Sequence, residues 1–484
     1  MSFTSYGFLL FLTVLLCVYY SVPGRWQWVL LLMGSALFYL GSGWRNLGFI
    51  LATTISTYAA ARILGRNQKL FDRKTAGKKN KPWLCLWLGV NFGLLALCKV
   101  RFTLENILLP MGISFYLFQS GGYVLDVYRG TQQAETNPLK FALFVSWFPQ
   151  LVQGPISRYG QLGPRLFTPH PWDGKQVSFG MQRMLWGYFK KLVIADRIAP
   201  AVAALRGPEH TGLSFLVLTV FYALQIYGDF TGGIDIAIGA SETLGIRLPE
   251  NFVRPFFAKN TAEYWRRWHI TLGGWMKDYV FYPVSVSAPL RKLSKAARRR
   301  WPKFGKRLPV YAASFVTWFC TGIWHGITPN FLLWGMMNCT VIVVSEELTP
   351  LYDKFHSRFH LKEKGWYGGF EMLRTFFLMN LIRIVDLFPD VREYFRRLGT
   401  LFSSFRVPFA QLGLSALDYG ILILGSVLML TVSLLQERKG SIRALLWERT
   451  GLRYGLTFAL FLAVLLLGRY GVGYDPGNFI YNQF

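Results

Sequence analysis

Charge is what this sequence is short of. Only 16% of its 484 residues are Asp, Glu, Lys or Arg, where a soluble globular chain carries about a quarter. Acid is scarcer still: 25 Asp and Glu stand against 53 Lys and Arg, a formal charge of +28. Cysteine is limited to Cys17, Cys85, Cys98, Cys320 and Cys339, an odd number with no CxxC among them. All five lie in apolar runs and read as small buried hydrophobes, in preference to a catalytic or acyl-carrying thiol at Cys320. There is no GxSxG, so no hydrolase nucleophile elbow. There is no GxxxxGK[ST] either, which excludes an ATP-driven pump, and no dinucleotide-binding fingerprint. No internal repeat and no soluble domain can be discerned, so residues 1–484 read as a single membrane domain. The N-terminal stretch MSFTSYGFLLFLTVLLCVYY lacks a basic n-region and a small-residue cleavage site; the expectation is a retained first helix.

What the chain has is hydrophobicity in long runs: 52% of its residues are hydrophobic and 17% aromatic, and the mean hydropathy is +0.29. This is the composition of an all-α polytopic membrane protein. The apolar runs predict spans near 6–22, 26–41, 45–64, 83–100, 179–205, 213–246, 309–328, 331–348, 366–388, 416–436 and 453–472, about eleven crossings. Between 104 and 160, proline and glycine recur too often for clean crossings, which predicts broken helices packed against protein. The surplus of base falls between apolar runs. Arg66–Lys81 holds seven Lys and Arg, and Arg291–Arg307 holds nine. The positive-inside rule reads these as cytoplasmic loops near 65–82 and 291–307 beside anionic lipid, with the N-terminus outside, and removes nucleic acid as a partner. Gly228 and Gly232 form a GxxxG, which predicts a close helix crossing.

One stretch is both too charged for a lipid-facing span and too aromatic for a solvated loop: NFVRPFFAKNTAEYWRRWHITLGGWMKDYVFYP at 251–283. From Glu263 to Tyr282 it has a helical period that aligns Trp265, Trp268, Leu272, Trp275, Tyr279 and Tyr282 in one aromatic stripe. Arg266, Arg267, Lys277 and Asp278 lie off the stripe and His269 at its edge. The segment suits a membrane interface or a protein-lined cavity. The second histidine of interest, His325, lies 16 residues past Pro309, about 24 Å along a helix, in the outer half of the membrane if 291–307 is cytoplasmic. Ionisable groups at depth are functional candidates because burying them costs several kcal/mol unless they are paired or hydrated. A neutral imidazole there can take a proton from an alcohol, as acyl transfer to a hydroxyl requires. Spacing alone leaves His325 equally readable as a structural histidine bonded to a helix carbonyl, and His269 as part of an interfacial aromatic belt. Asp229 and Asp235 suit a pair with intramembrane bases, or a histidine-orienting role. His170 reads as a surface-loop histidine. Asp353, His356 and His360 have the spacing of metal ligands on one helix face, but sit among Lys354, Arg358, Lys362 and Lys364 and read as a solvated basic loop; no metal is expected.

Three segments carry a resemblance. YGDFTGGIDIAIG at 227–239, LPENFVRPFFAKNTAEYWRRWHITLGGWMKDYVFYP at 248–283 and TGIWHG at 321–326 resemble the membrane-bound O-acyltransferase family, in the branch that O-acetylates alginate and other exported polymers. The tail GNFIYNQF at 477–484 is similar to the aromatic ending of that branch, with Asn482 where another aromatic is usual. The resemblance implies a ring of helices, with re-entrant or interfacial pieces, around a funnel whose thin floor is pierced by a tunnel. It implies that His325 is the catalytic base, that His269 supports it near the donor entrance, and that Asp229, Trp324 and Trp268 are supporting residues. Arg266, Arg267 and Lys277 would then attract the phosphates of the donor. The donor implied is cytosolic acetyl-CoA, a substrate rather than a resident cofactor. The acceptor is an extracytoplasmic polysaccharide, reached directly or through a partner acetyltransferase, and the location is a bacterial cytoplasmic membrane. Relatives that move D-alanine from a carrier protein to teichoic acid are the alternative, against which the chain's own aromatic tail argues. Broken helices with charges at depth also suit a polymer-export transporter; the stereotyped histidines, without an inverted repeat, favour the enzyme.

Overall fold

The computed structural model describes residues 1–105, 109–471, 473–475, 477 and 479, so Asn482 and most of the aromatic tail lie outside the described residues. Among the described residues the chain is helical, with no strand and one isolated bridge, Phe252 to Trp268. Among the described residues five helices are long and apolar enough to cross a membrane: Trp44–Leu70, Arg73–Glu105, Leu213–Thr243, Ala416–Lys439 and Thr450–Leu467. A sixth is added if Pro329–Glu347 and Thr349–Phe359, bent by 55°, count as one. Several other predicted spans are helices by residue range, including Tyr6–Ser21, Gly24–Leu40, Pro302–His325 and Gly365–Arg383.

Both predicted basic loops are instead helical hairpins. Trp44–Leu70 and Arg73–Glu105 leave only Phe71 and Asp72 between them. The stretch holds Lys, Arg, Ala and Gln, good helix formers, and Asp72 Oδ2 accepts from the amides of Lys74 and Thr75 to start the second helix. The second basic segment forms Ala288–Arg300 and the first turns of Pro302–His325, which turn back on one another at Trp301. Ser294 Oγ donates to the carbonyl of Gly305 at 2.7 Å, and an added Cβ on Gly305 would lie 2.4 Å from the Arg298 nitrogen. Only glycine permits that approach.

The chain divides into two compact units, Met1–Arg197 with Ile226–Pro249 and Ile421–Phe484, and Ile198–Gln225 with Glu250–Gly420. In the first unit the expected break-up of 104–160 is present as Ile113–Arg129, Pro138–Ser146, Phe148–Leu151 and Tyr159–Phe167. Thirteen of the 17 residues of Ile113–Arg129 are buried, as broken helices inside protein require. Gly112, at φ 72°, brings the backbone so close to Leu151 that a Cβ would lie 2.2 Å from its carbonyl oxygen.

The predicted 179–205 span is three pieces in one run: Gly174–Tyr188, a π-helical Phe189–Ala195, and Asp196–Leu205. It crosses Leu213–Thr243 through glycines on both sides. A Cβ on Gly187 would sit 2.6 Å from the Gly232 carbonyl, and one on Gly180 2.6 Å from that of Gly239. The close crossing expected of Gly228 and Gly232 is therefore present, and its partner is the 174–195 segment. Within it Lys191 Nζ reaches Asp229 at 2.6 Å and Asp196 at 2.8 Å, while Asp235 binds Lys190 at 2.6 Å and Arg183 at 2.9 Å. A π-helical turn, which adds one residue per turn, lets the adjacent lysines serve two carboxylates six residues apart. The Lys191 ammonium lies 4.4 Å from the ring centre of buried Phe479, and Tyr474 hydrogen-bonds to Asp196 at 2.9 Å, so part of the tail packs on this charged cluster.

Candidate functional site

The aromatic stretch is not one helix, and its period is not one stripe. Thr261–Arg267 ends at Trp268, whose backbone is extended; His269 is left-handed at φ 48°, ψ 49°; Ile270–Met276 then begins, followed by a π-turn Lys277–Phe281 and Tyr282–Ser285. The break has a local cause. Residues 251–253 pair with it as a short strand would: Val253 N donates to Arg267 O at 2.9 Å and Ile270 N to Asn251 O at 3.0 Å. Asn251 Oδ1, wholly buried, accepts from Thr271 N at 3.1 Å and Thr271 Oγ1 at 2.9 Å, and lies 3.3 Å from His269 Nδ1. The new helix start is thereby capped from outside. A left-handed histidine is strained backbone, held here by partners on both sides.

The break places His269 in the interior. Burial, reinforced by the Arg383 guanidinium, lowers its pKa to about 3 and keeps the ring neutral; the residue lies in the short-helix stretch, outside the five long apolar helices. Its ring centre is 6.1 Å from Trp324, which is 4.8 Å from His325. One indole separates the two imidazoles. His325 is the last residue of Pro302–His325, half-buried, with its ring 4.6 Å from Trp334 and near-parallel to Phe331 at 6.3 Å. Trp334 in turn meets Trp265 at 5.8 Å and Trp318 at 5.9 Å. The glycine pair Gly322 and Gly335 sets this register: a Cβ on Gly322 would lie 2.7 Å from Phe331 O, and one on Gly335 2.5 Å from Trp318 O. Polar groups at the end of one helix are thus fenced by aromatic faces. A neutral imidazole so placed has a ring nitrogen with which to accept the proton of a hydroxyl.

Trp268 lies beneath the site, stacked on Tyr264 at 5.7 Å and covered by the Arg383 guanidinium at 4.0 Å. Arg383 also donates to Tyr264 Oη at 3.0 Å. Three residues on stands the half-buried Asp386. Asn330 Nδ2 donates to the carbonyls of Val385 and Asp386 at 3.4 and 3.3 Å, tying this turn to the segment after His325. Arg383, Asp386, Asn251 and Asn330 were missed in the sequence, where 366–388 reads as an ordinary span. The helix ends at Arg383, and the signal was available: an Arg and an Asp three apart inside LMNLIRIVDLF are ionisable groups in an apolar run.

The remaining candidates divide. Asp229 belongs to the first unit and pairs with Lys191, so it meets the expectation of an intramembrane ion pair. Of the proposed donor-binding cations, Arg266 and Lys277 are exposed, whereas Arg267 is held by Glu263 at 2.7 Å. The Asp353, His356 and His360 segment is a helix, Thr349–Phe359, rather than a loop. His356 Nε2 bonds Tyr367 Oη at 2.8 Å, His360 faces Glu363 at 3.3 Å, and Asp353 faces Lys362 at 3.8 Å. The three point to three different partners and form no common ligand set. His170 Nε2 lies 2.7 Å from the carbonyl of Arg165.

Comparison with known proteins agrees with the geometry. Residues 134–298 match the model of the membrane-bound O-acyltransferase family. The chain is 35% identical over 347 residues to a protein of Pseudomonas fluorescens named probable alginate O-acetylase, covering 69% of this chain and 64% of that one. It is 34% identical over 376 residues to a protein of the same name from Azotobacter vinelandii, covering 72% of this chain and 69% of the other. A peptidoglycan O-acetyltransferase of Helicobacter pylori is 28% identical over 369 residues, 67% of this chain and 66% of that protein. The chain spans about two thirds of the length of these relatives. On the motifs, the helical architecture and these similarities together, the chain belongs to the membrane-bound O-acyltransferase family.

Proposed function

We propose that the protein is a membrane O-acyltransferase that carries an acetyl group from cytosolic acetyl-CoA to a hydroxyl outside the membrane, for O-acetylation of an exported or cell-surface polysaccharide. The observation that carries this reading is the cage of Trp324, Phe331 and Trp334 around His325, with neutral His269 across the Trp324 indole. In the reaction, an imidazole nitrogen of His325 takes the proton of the acceptor hydroxyl. The oxygen attacks the thioester carbonyl, the C–O bond forms, the C–S bond breaks, and the thiolate leaves to be protonated on the cytosolic side. Exposed Arg266 and Lys277 are the cations placed to meet the donor's phosphates; Arg267, already paired, orients the first short helix. His269 supports the site as a neutral group fixed by Asn251, with Trp268 and Trp324 as its walls and Asp229 as a brace of the first unit. The acceptor is the polysaccharide itself or a partner acetyltransferase that finishes the transfer.

The finer architecture that goes with this reading is about eleven crossings around a funnel and tunnel, in a bacterial cytoplasmic membrane with the N-terminus outside. The two basic hairpins are then cytoplasmic. The test is release of free coenzyme A from acetyl-CoA by the purified protein in lipid, alongside His325→Ala and His325→Gln. Release in the wild type, lost in both variants at unchanged thermal midpoint, is expected. Full release by either variant refutes the base role, and carrier-protein binding without acetyl-CoA turnover moves the donor assignment to a carried aminoacyl group.

A further inference from the structure

A second site lies in the unit that holds the histidines, away from their aromatic cage in sequence. A cavity of about 550 Å3 is bordered by the loop before Leu213–Thr243 and the loop before Ala416–Lys439. This is within the roughly 300–1,000 Å3 of small-molecule sites. Its walls are fastened together before any ligand arrives. Leu213 N donates to Ser404 O at 2.7 Å, Ser214 Oγ to Arg406 O at 3.0 Å and Gly212 N to Thr400 Oγ1 at 3.4 Å. Gly212 sits at φ 60°, where a Cβ would lie 2.3 Å from Ser404 O. The loop's other end is held by the buried Arg397, which donates to the carbonyls of Leu205, Arg206 and Gly207 at 3.1, 2.7 and 2.7 Å, and by Arg396, which donates to Pro208 O at 3.0 Å. A pocket so braced loses little freedom when it binds.

The lining residues are mixed: Arg406, His210 with its imidazole 3.2 Å from the Glu209 carboxylate, Thr211, Ser404 and Gln411, together with the apolar Val407 and Pro408. Hydroxyls and an amide match a polyol, and a guanidinium matches a carboxylate. Flanking Ser404 and Arg406 are Phe402 and Phe405, 86% and 75% exposed, flat apolar faces of the kind on which a sugar ring can lie. The two loops and the helix Val391–Gly399, capped by Asp390, hold Arg206, Arg392, Arg396, Arg397 and Arg406 against Glu209, Asp390 and Glu393, a positive surplus. Base is denser at the far end of Ala416–Lys439, where 438–453 holds five Lys and Arg with Glu448 as its one acid; the positive-inside rule puts that end in the cytoplasm and the pocket outside.

We infer that this pocket is an extracytoplasmic binding site for an anionic saccharide, with a uronate carboxylate on Arg406, sugar hydroxyls on Thr211, Ser404 and Gln411, and a ring face on Phe405. The inference deepens the acceptor reading above and rests on it: the pocket holds one stretch of an acidic polymer while another stretch is acetylated.

The test is binding of an alginate tetrasaccharide and of tetragalacturonate, against neutral cellotetraose, to the full-length protein in lipid nanodiscs at low and high salt. The expected result is selective binding of the acidic tetramers, weakened by salt, and reduced about tenfold or more in Arg406→Gln with partial recovery in Arg406→Lys. Arg406 supports the loop through its backbone carbonyl, so these side-chain variants keep Ser214 bonded; unchanged thermal midpoints check this. Equal binding of cellotetraose, no binding of either acidic tetramer, or equal affinity in wild type and Arg406→Gln overturns the inference. So does unchanged affinity for the acidic tetramers in Phe405→Ala, which would leave the ring face without a role in the site. Coenzyme A release by the wild type is read separately. Release without saccharide binding sinks the pocket alone, and saccharide binding without release sinks the acetyl-CoA assignment alone.

Discussion

The register of His325 depends on a contact one can count in tenths of an ångström. Gly322 faces Phe331 across the packing of Pro302–His325 on Pro329–Glu347, and an added methyl would come 2.7 Å from the Phe331 carbonyl oxygen and 3.4 Å from Leu332 Cα. Both obstacles are backbone, so no side chain can swing away. To regain ordinary contact near 3.4 Å the helices must part by about 0.7 Å at that level, one turn before His325. Overpacking of this kind costs about 1–3 kcal/mol, and a reacting group displaced by an ångström can lose about a hundredfold in rate. Gly322→Ala is therefore expected to lower the thermal midpoint and to cut coenzyme A release about tenfold or more. Gly335→Ala, whose methyl would meet Trp318 O at 2.5 Å, should behave alike. Gly369→Ala is the control, since nothing lies within 4 Å of its added methyl on the exposed face of Gly365–Arg383; its midpoint should hold or rise slightly, because alanine is the better helix former. Wild-type turnover and midpoint in Gly322→Ala would refute the argument that this crossing sets the site.

Three further outcomes are expected. Asn251→Ala leaves the part-buried Thr271 amide and hydroxyl without their shared acceptor, which should cost about 1 kcal/mol, and Asn251→Asp, which keeps an acceptor, should retain more of the fold; equal midpoints for Asn251→Ala and wild type would contradict the capping role. Lys191→Met strands the Asp229 and Asp196 carboxylates, a loss of about 3–5 kcal/mol, and adding Asp229→Asn and Asp196→Asn should recover part of it; a stable single variant would show that the pairs are not needed. The Glu393 carboxyl is held down to about 2, chiefly by its hydrogen bonds to Arg396 and Arg397. A lowered carboxyl stabilises the fold fully above its ordinary value near 4.5 and less as pH falls toward 2. The wild type should thus lose more thermal stability between pH 6 and pH 3 than Glu393→Gln does, and parallel losses would rule the carboxylate out as the cause.

Much of the fold was legible because its causes are local. Long apolar runs declare helices, and Pro and Gly between 104 and 160 declare breaks. Gly228 and Gly232 announced a close crossing, and Asp229 a buried base, because a lone carboxylate at depth is too costly to leave unpaired. What stayed hidden has non-local causes. The helical period of 263–282 is real, yet it is cut at Trp268 and His269 by Asn251, 18 residues earlier, and no period within the stretch can report that bond. Charge density suggested loops at 65–82 and 291–307, but lysine and arginine are good helix formers, and only Phe71, Asp72 and Trp301 interrupt. Arg383 and Asp386 were passed over because the apolar residues around them outweighed two charges in a window average.

The reciprocal glycines of the first unit act as a vernier. Gly180 meets Gly239 and Gly187 meets Gly232, seven residues apart on each helix. The two helices therefore fit at one axial setting, since a seven-residue slide, about 10 Å, would bring only one of the two glycine pairs back into register. At that distance the pairs of Lys190 with Asp235 and of Lys191 with Asp229 would be gone, and Lys191 would keep only Asp196 of its own segment. Shape thus selects the alignment before charge can, and the carboxylates at 229 and 235 meet their lysines because the backbones leave them nowhere else to go. A chain this rich in base, with few acids to spare, escapes mispairing in the membrane by letting its smallest residues choose the partners of its most expensive ones.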